Sequence, residues 1–346
     1  MLDSPSALFD TVAFHITDRC NIRCAHCMPE SAPECVSRMG EAELCGWIAA
    51  LAALGRTRKI CLTGGEPFVE RKLLLAASDA AAANGLECAV MTNASWGTSG
   101  EAAVRVLQRY PGITKIGIST DRFHREFVSP EYVRHVVHAC VELGKTVLVR
   151  VSYLQDAAGE LTETRASLGA SLRHLDTVEA QPVMALGRAR KLIPLTQLFE
   201  MPEDALAEPC RVADTPVVAP DGSVFACCGP SMQMSRDSPL YLGDLRTTRL
   251  ADIQADAEAN TALNFIRAIG PKALLRKIAA EGVHVEVGQQ ARHICELCTT
   301  AFASAAARQA VRELVARDSV QNEVARARLI ELGEVPRDED LGAAVT

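Results

Sequence analysis

Apolar and polar positions are grouped in short blocks through the first half of the chain, and the blocks change period in a regular order. Six of them read as strands: Thr11 to Thr17, Lys59 to Thr63, Glu87 to Thr92, Lys115 to Ser119, Thr146 to Tyr153 and Thr177 to Pro182. Between them the pattern is helical, in Glu41 to Leu54, Lys72 to Asn84, Glu101 to Gln108, Pro130 to Leu143 and Leu161 to Leu175. Gly85 and Gly144 stand where helix C-caps should fall. Strands alternating with helices imply a parallel sheet with right-handed crossovers. About 185 residues is too short for eight such units. The expectation is therefore an α/β fold, a partial (β/α)6 TIM-like barrel, with its functional groups at the strand C-terminal ends.

The pattern changes after Pro182. Leu186 to Pro209 reads as a connector rich in proline and basic residues. Thr215 to Cys228 reads as a β-hairpin turning at Asp221-Gly222. A mixed region runs to Cys298, Ala303 to Leu332 is a helical pattern with one charged face, and Arg337 to Thr346 is expected to fray. The pattern thus divides the chain into 1–186 for the barrel, 187–209 for the connector, 210–300 for a small α+β unit and 301–346 for a C-terminal helix and tail.

Composition narrows the function classes. The chain has 346 residues, of which 48% are hydrophobic and 23% charged, as in a soluble globular protein. Its net charge is −7, which argues against a broad basic surface for nucleic acid. No apolar run approaches the roughly 18 residues of a membrane span. Met1 to Asp10 lacks the basic and apolar regions of a secretory signal, so a cytoplasmic location is expected. The 13 cysteines then call for an explanation. Thiols in a reducing compartment point to metal binding or catalysis rather than to a disulfide scaffold.

Cys20-Asn-Ile-Arg-Cys24-Ala-His-Cys27 comes directly after the first strand. Three thiols on one loop can turn toward a common point. An iron–sulfur cubane needs four ligands, so three local ones would leave one iron open to an outside ligand. A zinc site is the competing reading. The second group is Cys210, Cys227, Cys295 and Cys298. The hairpin turn folds Cys227 back toward Cys210, and Cys295-Glu-Leu-Cys298 supplies a pair from a distant segment. Four thiolates close a cubane completely, and a four-cysteine zinc site fits the same count.

The first cysteine loop resembles the signature of radical S-adenosylmethionine (radical SAM) enzymes. Thr63-Gly64-Gly65-Glu66-Pro67, ending the second strand, is similar to the GGEP motif of that family. The resemblance spans roughly residues 11 to 185. It implies a [4Fe-4S] cluster on Cys20, Cys24 and Cys27 with SAM at the open iron. It implies that Gly64, Gly65, Glu66 and Pro67 meet the SAM methionine group. Ser119 and Asp121, ending the fourth strand, would hold the ribose and carboxylate, and Arg150 would pair with the carboxylate. Asn93 ends the third strand near the same site. Several of these side chains also suit helix N-caps or loops. His26 takes the usually aromatic position before the third cysteine and would lie along the adenine, with a role as proton donor the alternative.

The second cysteine group resembles the SPASM and twitch extensions of the same family, including the glycine between its first two cysteines. Leu242-Gly243-Asp244-Leu245 is similar to the Leu-Gly-Asn-Ile segment that precedes a helix there. A full SPASM domain has three further cysteines after the C-x2-C pair, and here Cys298 is the last. The shorter twitch form, an auxiliary-cluster domain with one closed auxiliary [4Fe-4S] cluster for electron transfer, is what this implies. Among the six other cysteines, Cys61 and Cys88 fall in strands and Cys45 and Cys140 in helices, as small buried apolar groups, and Cys35 falls in a loop. Cys228 adjoins an expected ligand, and pleating turns it to the opposite face. It is a candidate ligand, spare thiol or hydrogen-atom donor. Asp121 to Phe127 is a polar-aromatic loop on the functional side, able to meet a substrate or to be solvated.

The function implied is reductive cleavage of SAM to a 5′-deoxyadenosyl radical that abstracts hydrogen from a substrate carbon. The substrate expected is a ribosomally made peptide, modified by crosslinking, epimerisation or thioether formation. Dehydrogenation of a small natural-product intermediate is the alternative enzyme, and a non-catalytic metal-binding scaffold the alternative of another class. The partners implied are the peptide or small molecule, an external one-electron reductant and a separate leader-peptide-binding protein. The first strand begins near residue 11, so a leader-binding domain is not expected before it, which is why a separate partner is expected.

Overall fold

The computed structural model describes residues 7–285 and 291–334. The expected frayed end at 337–346 lies outside the described residues. Six parallel strands come first: β1 (Thr11–His15), β2 (Lys59–Thr63), β3 (Glu87–Thr92), β4 (Lys115–Ser119), β5 (Thr146–Tyr153) and β6 (Thr177–Pro182). The helices among them are α1 (Glu41–Ala53), α2 (Arg71–Ala83), α3 (Gly100–Leu107), α4 (Arg122–Arg125), α5 (Pro130–Glu142) and α6 (Ala157–Leu168). The chain is thus the expected partial barrel. Strand alternation sorts its two faces. Phe14, Leu62, Val90, Ile118 and Val149 point outward and are fully buried in the main core beneath the helices. The inward set includes Thr63, Ser119, Arg150 and Gln181 together with Met91, which face an open interior. Asn84 ends α2 and Gly85 comes next with φ 70°, while Gly144 lies just past α5 with φ 63°, so both glycines terminate helices as expected.

Three expectations shift. The first strand stops at His15, because the Thr17 hydroxyl donates to the Ser37 carbonyl and the chain leaves the sheet there to form the cysteine loop. The last barrel helix starts earlier, where Asp156 accepts from the Gly159 N–H, and ends at Leu168. Gly169, at φ 53°, then turns the chain into a 3-10 segment ending at His174. The connector carries α7 (Gly187–Leu192).

The hairpin strands β7 (Val217–Val218) and β8 (Ser223–Phe225) do not form a separate sheet. Strand β7 pairs in parallel with the free edge of β1, and β8 and β9 (Tyr241–Asp244) continue antiparallel beyond it. The order is β6-β5-β4-β3-β2-β1-β7-β8-β9. Gly222 makes the hairpin turn at φ 83°, and the Leu242–Leu245 motif supplies β9 ahead of α8 (Leu250–Ala259). The chain continues through α9 (Thr261–Ala268), α10 (Pro271–Ala280) and α11 (Ile294–Phe302). The tail pattern is two helices, α12 (Ala305–Val315) and α13 (Asp318–Glu331). They are separated where Arg317 is extended (φ −78°, ψ 133°) and pairs with Glu281, so that Val311 and Val324 can both enter the core. Among the described residues no helix is long and apolar enough to cross a membrane.

Candidate functional site

Both cysteine groups open on one cavity of about 540 Å3 at the C-terminal ends of the barrel strands. One wall holds Cys20, Cys24 and Cys27, and the other holds Cys210, Cys227, Cys295 and Cys298. The barrel mouth between them contributes Gly64, Gly65, Asn93, Ser119 and Arg150. Methionines and aliphatic side chains, among them Met91, Met184, Met232 and Val183, make much of the remaining surface.

The first cysteine loop is held against the β2 loop by its backbone. Gly65 donates its N–H to the Thr17 carbonyl at 2.7 Å, and Glu66 donates to the Arg19 carbonyl at 2.9 Å. Gly64 has φ 139°, and a Cβ there would fall 2.4 Å from the Thr17 carbonyl oxygen. A Cβ on Gly65 would fall 2.1 Å from the Arg19 carbonyl oxygen. The two glycines therefore serve the cysteine loop as well as the cavity. Gly65→Ala is expected to cost about 1–3 kcal/mol through overpacking and to weaken iron binding at the neighbouring thiols. Thermal unfolding and iron analysis check this; wild-type values for both would contradict it.

The opposite side of the loop is held by a residue that the sequence pattern places in the connector without distinction. Arg188 is buried, and its guanidinium donates to the carbonyls of Cys24 (2.7 Å), Glu30 (2.8 Å) and Ser31 (2.8 Å). Its own N–H donates to the Cys27 carbonyl at 3.0 Å. Gly187, at φ 53°, permits this approach, since a Cβ there would lie 2.0 Å from the Met28 carbonyl oxygen. Arg188→Met would strand the buried carbonyls of Cys24 and Ser31 and should cost about 2–3 kcal/mol. Denaturant titration and metal analysis should show lower stability and loss of iron from the first group alone; equal loss from both groups would contradict the clamp.

Burial pushes the Cys20 thiol up to about 12, with Glu66, Cys24 and Cys27 adding to it, and raises Cys27, where Arg188 opposes the effect. Burial likewise lifts Cys210 to about 11 and Cys295 and Cys298 well above the usual range. Cys298 feels Cys227, Cys210 and Cys295, so the four converge electrostatically although they come from three segments. Thiols raised in this way become thiolates against the positive charge of iron. Among the described residues, no three cysteine sulfurs lie within 4.8 Å of one another. Tetrahedral zinc would place its sulfurs about 3.8 Å apart, so the wider spacing suits a cluster better than a single ion. Cys295 and Cys298 share one face of α11, with Cys295 in the first turn, where the helix dipole favours a thiolate. Cys227 donates its N–H to the Ser231 hydroxyl at 3.1 Å, and Cys210 donates its N–H to the Ile266 carbonyl at 3.0 Å. One residue on, Arg267 of α9 forms a buried ion pair with Asp214, fixing the segment that carries Cys210.

The other expected site residues divide. Asn93 is buried beside the first group: its amide lies 3.9 Å from the Cys20 sulfur and donates to Asn21 at 3.0 Å. Ser119 and Arg150 face the cavity as neighbours across β4 and β5. Arg150 pairs with Glu179 of β6 at 2.8 Å. His26 lines the cavity with its ring stacked on Phe123, 4.5 Å between centroids, and burial lowers it to about 4. Its Nδ1 is buried without a hydrogen-bond partner, which suits contact with a bound molecule. Cys228 is the exposed member of the cysteines, but its exposure is to this cavity; surrounding protein raises its thiol, with Cys227 adding and Arg150 opposing.

Glu66, Pro67 and Asp121 lie behind the cavity lining, where their side chains support its walls. The Glu66 carboxylate accepts from the N–H groups of Phe68 (3.1 Å) and Asn93 (2.7 Å) and from the Thr92 hydroxyl (2.8 Å). Burial raises it to about 7 against those bonds. It braces the ends of β2 and β3, and Pro67 starts the 3-10 turn that comes next. Asp121 is fully buried and caps α4, accepting from the Phe123 and His124 N–H groups, the His124 ring and the Ser152 N–H. The sequence carries no mark of the His124 partnership. Burial alone would lower that imidazole, but Asp121 outweighs it and raises the ring to about 10, while the Asp121 carboxyl is held far below its usual range.

A family model for the radical SAM superfamily matches residues 14–150. YydG of Bacillus subtilis (strain 168), whose name assigns it to peptide biosynthesis, is 23% identical over 227 residues, covering 64% of this chain and 70% of that protein. The GTP 3′,8-cyclase of Chlorobaculum tepidum is 32% identical over 119 residues, and the match covers only 34% of either chain. Among solved structures, anSMEcpe with bound AdoMet superposes with a TM-score of 0.53 at 10% identity, over 91% of this chain and 98% of that one, so the two share a fold. The cysteine loop and the glycine approach at the mouth of the barrel both fall within residues 14–150, the stretch that matches the radical SAM superfamily.

Proposed function

We propose that this enzyme modifies a ribosomally made peptide held in the cavity between two iron–sulfur clusters. The observation that carries the reading is the shared cavity itself: seven cysteines on two facing walls, with the polar barrel mouth between them. In this reading Cys20, Cys24 and Cys27 hold the [4Fe-4S] cluster that takes SAM, and residues 1–186 form its barrel. Cys210, Cys227, Cys295 and Cys298 close an auxiliary cluster in the 210–300 unit. When bound, the cluster and SAM supply a carbon radical able to take hydrogen from an unactivated C–H bond.

The chain's own residues orient and enclose. The Gly64 and Gly65 backbone receives the methionine amino end, Ser119 and Arg150 the ribose and carboxylate, and His26 lies along the adenine. Asn93 donates toward the Cys20 sulfur, as outer hydrogen bonds to cluster ligands do. The aliphatic and methionine surface excludes water from the reacting carbon. Cys228, facing the cavity, is the side chain placed to return a hydrogen atom.

A peptide is preferred as substrate because the YydG relative is named for peptide biosynthesis. The test is anaerobic incubation of the reconstituted enzyme with SAM, dithionite and the short peptides encoded beside its gene. Peptide mass change in step with 5′-deoxyadenosine supports the reading; SAM cleavage with every peptide returned unaltered sinks the peptide assignment.

A further inference from the structure

A second cavity, of about 810 Å3, lies outside the barrel mouth, between the loop after β2, the loop after β3 and one face of α3. Its floor is apolar and includes Phe68, Val69, Trp96 and Val106. Phe68 and Trp96 pack with ring centroids 4.4 Å apart. Three arginines surround that floor. Arg105 and Arg109 stand one turn apart along the α3 side, and Arg71, at the start of α2, faces them. All three are exposed, and among the described residues none is in an ion pair. Of the acids nearby, Glu66 is buried against backbone N–H groups, and Glu101, one turn before Arg105, accepts from Ser99 and feels Arg105 without forming an ion pair with it. On a chain of net charge −7, an unpaired basic ring around an apolar floor is a local reversal of sign.

The position of this groove gives the ring a use. Asn21 is exposed, lies on the groove wall and stands next to Cys20 in the chain. Its amide donates to the Ser95 hydroxyl at 2.9 Å, also on the groove wall, and accepts from Asn93 at 3.0 Å. That same Asn93 amide is 3.9 Å from the Cys20 sulfur. The groove is thus separated from the first cysteine by a single layer of amides.

We propose that this groove docks an acidic one-electron carrier protein, which delivers the electron that the first iron–sulfur centre consumes. The inference rests on the reading of Cys20, Cys24 and Cys27 as that centre. One electron would leave the reduced carrier, which would depart oxidised by one electron, and would reach the centre that Cys20, Cys24 and Cys27 would hold behind Asn21. Opposite charge steers the encounter, and the apolar floor gives the docked pair its register.

The test measures 5′-deoxyadenosine formed from SAM without peptide, driven either by reduced flavodoxin or by dithionite, a small ion that needs no docking surface. The variant R71E/R105E/R109E should lose at least about tenfold of the flavodoxin-driven rate, while the dithionite-driven rate stays within about twofold of wild type. Raising the salt should slow only the flavodoxin reaction of the wild type. The neutral variant R105Q/R109Q should show the same selectivity to a smaller degree, and it keeps the test open if the triple variant folds poorly. Equal flavodoxin rates in wild type and the folded variants, or an equal fall with both reductants, overturns the proposal. Wild-type enzyme that makes no 5′-deoxyadenosine with dithionite overturns the cluster assignment instead.

Discussion

Replacing Cys20, Cys24 and Cys27 together by alanine is expected to lower the iron content from about eight to about four per chain and to abolish SAM cleavage. The reasoning is one of separation. The first three thiols belong to one loop, clamped by Arg188 on one side and by the Gly64-Gly65 backbone on the other. The second four come from the segment at Cys210, the strand end at Cys227 and the helix α11, none of which depends on the first loop for its own hydrogen bonds. The clamp contacts carbonyl groups, not sulfurs, so alanine leaves it intact and the fold should persist by circular dichroism. Anaerobic reconstitution, iron and sulfide analysis and electron paramagnetic resonance check the count. A second group that takes up zinc and gives no cluster signal would refute the auxiliary cluster.

Cys228→Ala should have an equally large but different effect. If the enzyme epimerises a residue, the variant still makes 5′-deoxyadenosine yet incorporates no deuterium from deuterated water into the peptide. The wild-type product then keeps its constitution and gains one mass unit. The argument begins from position: Cys228 opens into the cavity. Cys61, also near Arg150, is enclosed in the sheet, and its burial lifts it to about 11. An S–H bond is weaker than the hydroxyl and amide alternatives, so a substrate carbon radical takes its hydrogen and leaves a sulfur radical. That sulfur needs one electron and one proton to recover, and the auxiliary cluster that Cys210, Cys227, Cys295 and Cys298 would hold beside it could supply the electron. If the substrate loses a second electron instead, the product is two mass units lighter and Cys228→Ala is close to neutral. Mass spectrometry of the peptide separates the two.

The barrel is legible in the sequence because each strand carries its period on a face that is either packed or polar. Lys59–Thr63, Glu87–Thr92 and Lys115–Ser119 alternate between core residues and inward ones. The cysteine groups are legible because spacing alone puts thiols on shared turns. The features that escape sequence reading are tertiary. Nothing local distinguishes Arg188 from the other basic residues of Leu186 to Pro209; only the return of α7 to the cysteine loop makes it a buried donor. The place of Asp121 at a strand end is legible, but its cap on α4 and its bonds to the His124 ring and the Ser152 N–H are set by tertiary contacts. The hairpin is visible, but its pairing with β1 is not, because β7 is two residues long and an edge carries no sequence mark of its neighbour.

The Gly187-Arg188 clamp bears on how such enzymes can be recombined. The tidy place to cut this chain, between the barrel and the C-terminal half, is after β6, and a designer of chimaeras would join a foreign C-terminal half there. That junction would leave out the guanidinium that ties the Cys24, Glu30 and Ser31 carbonyls, although every thiol of the first group would be retained. The hybrid would also expose β1 unless the incoming piece brought its own strand for that edge. A junction placed beyond Leu192 carries the clamp with the barrel, leaving only the edge of β1 to be matched.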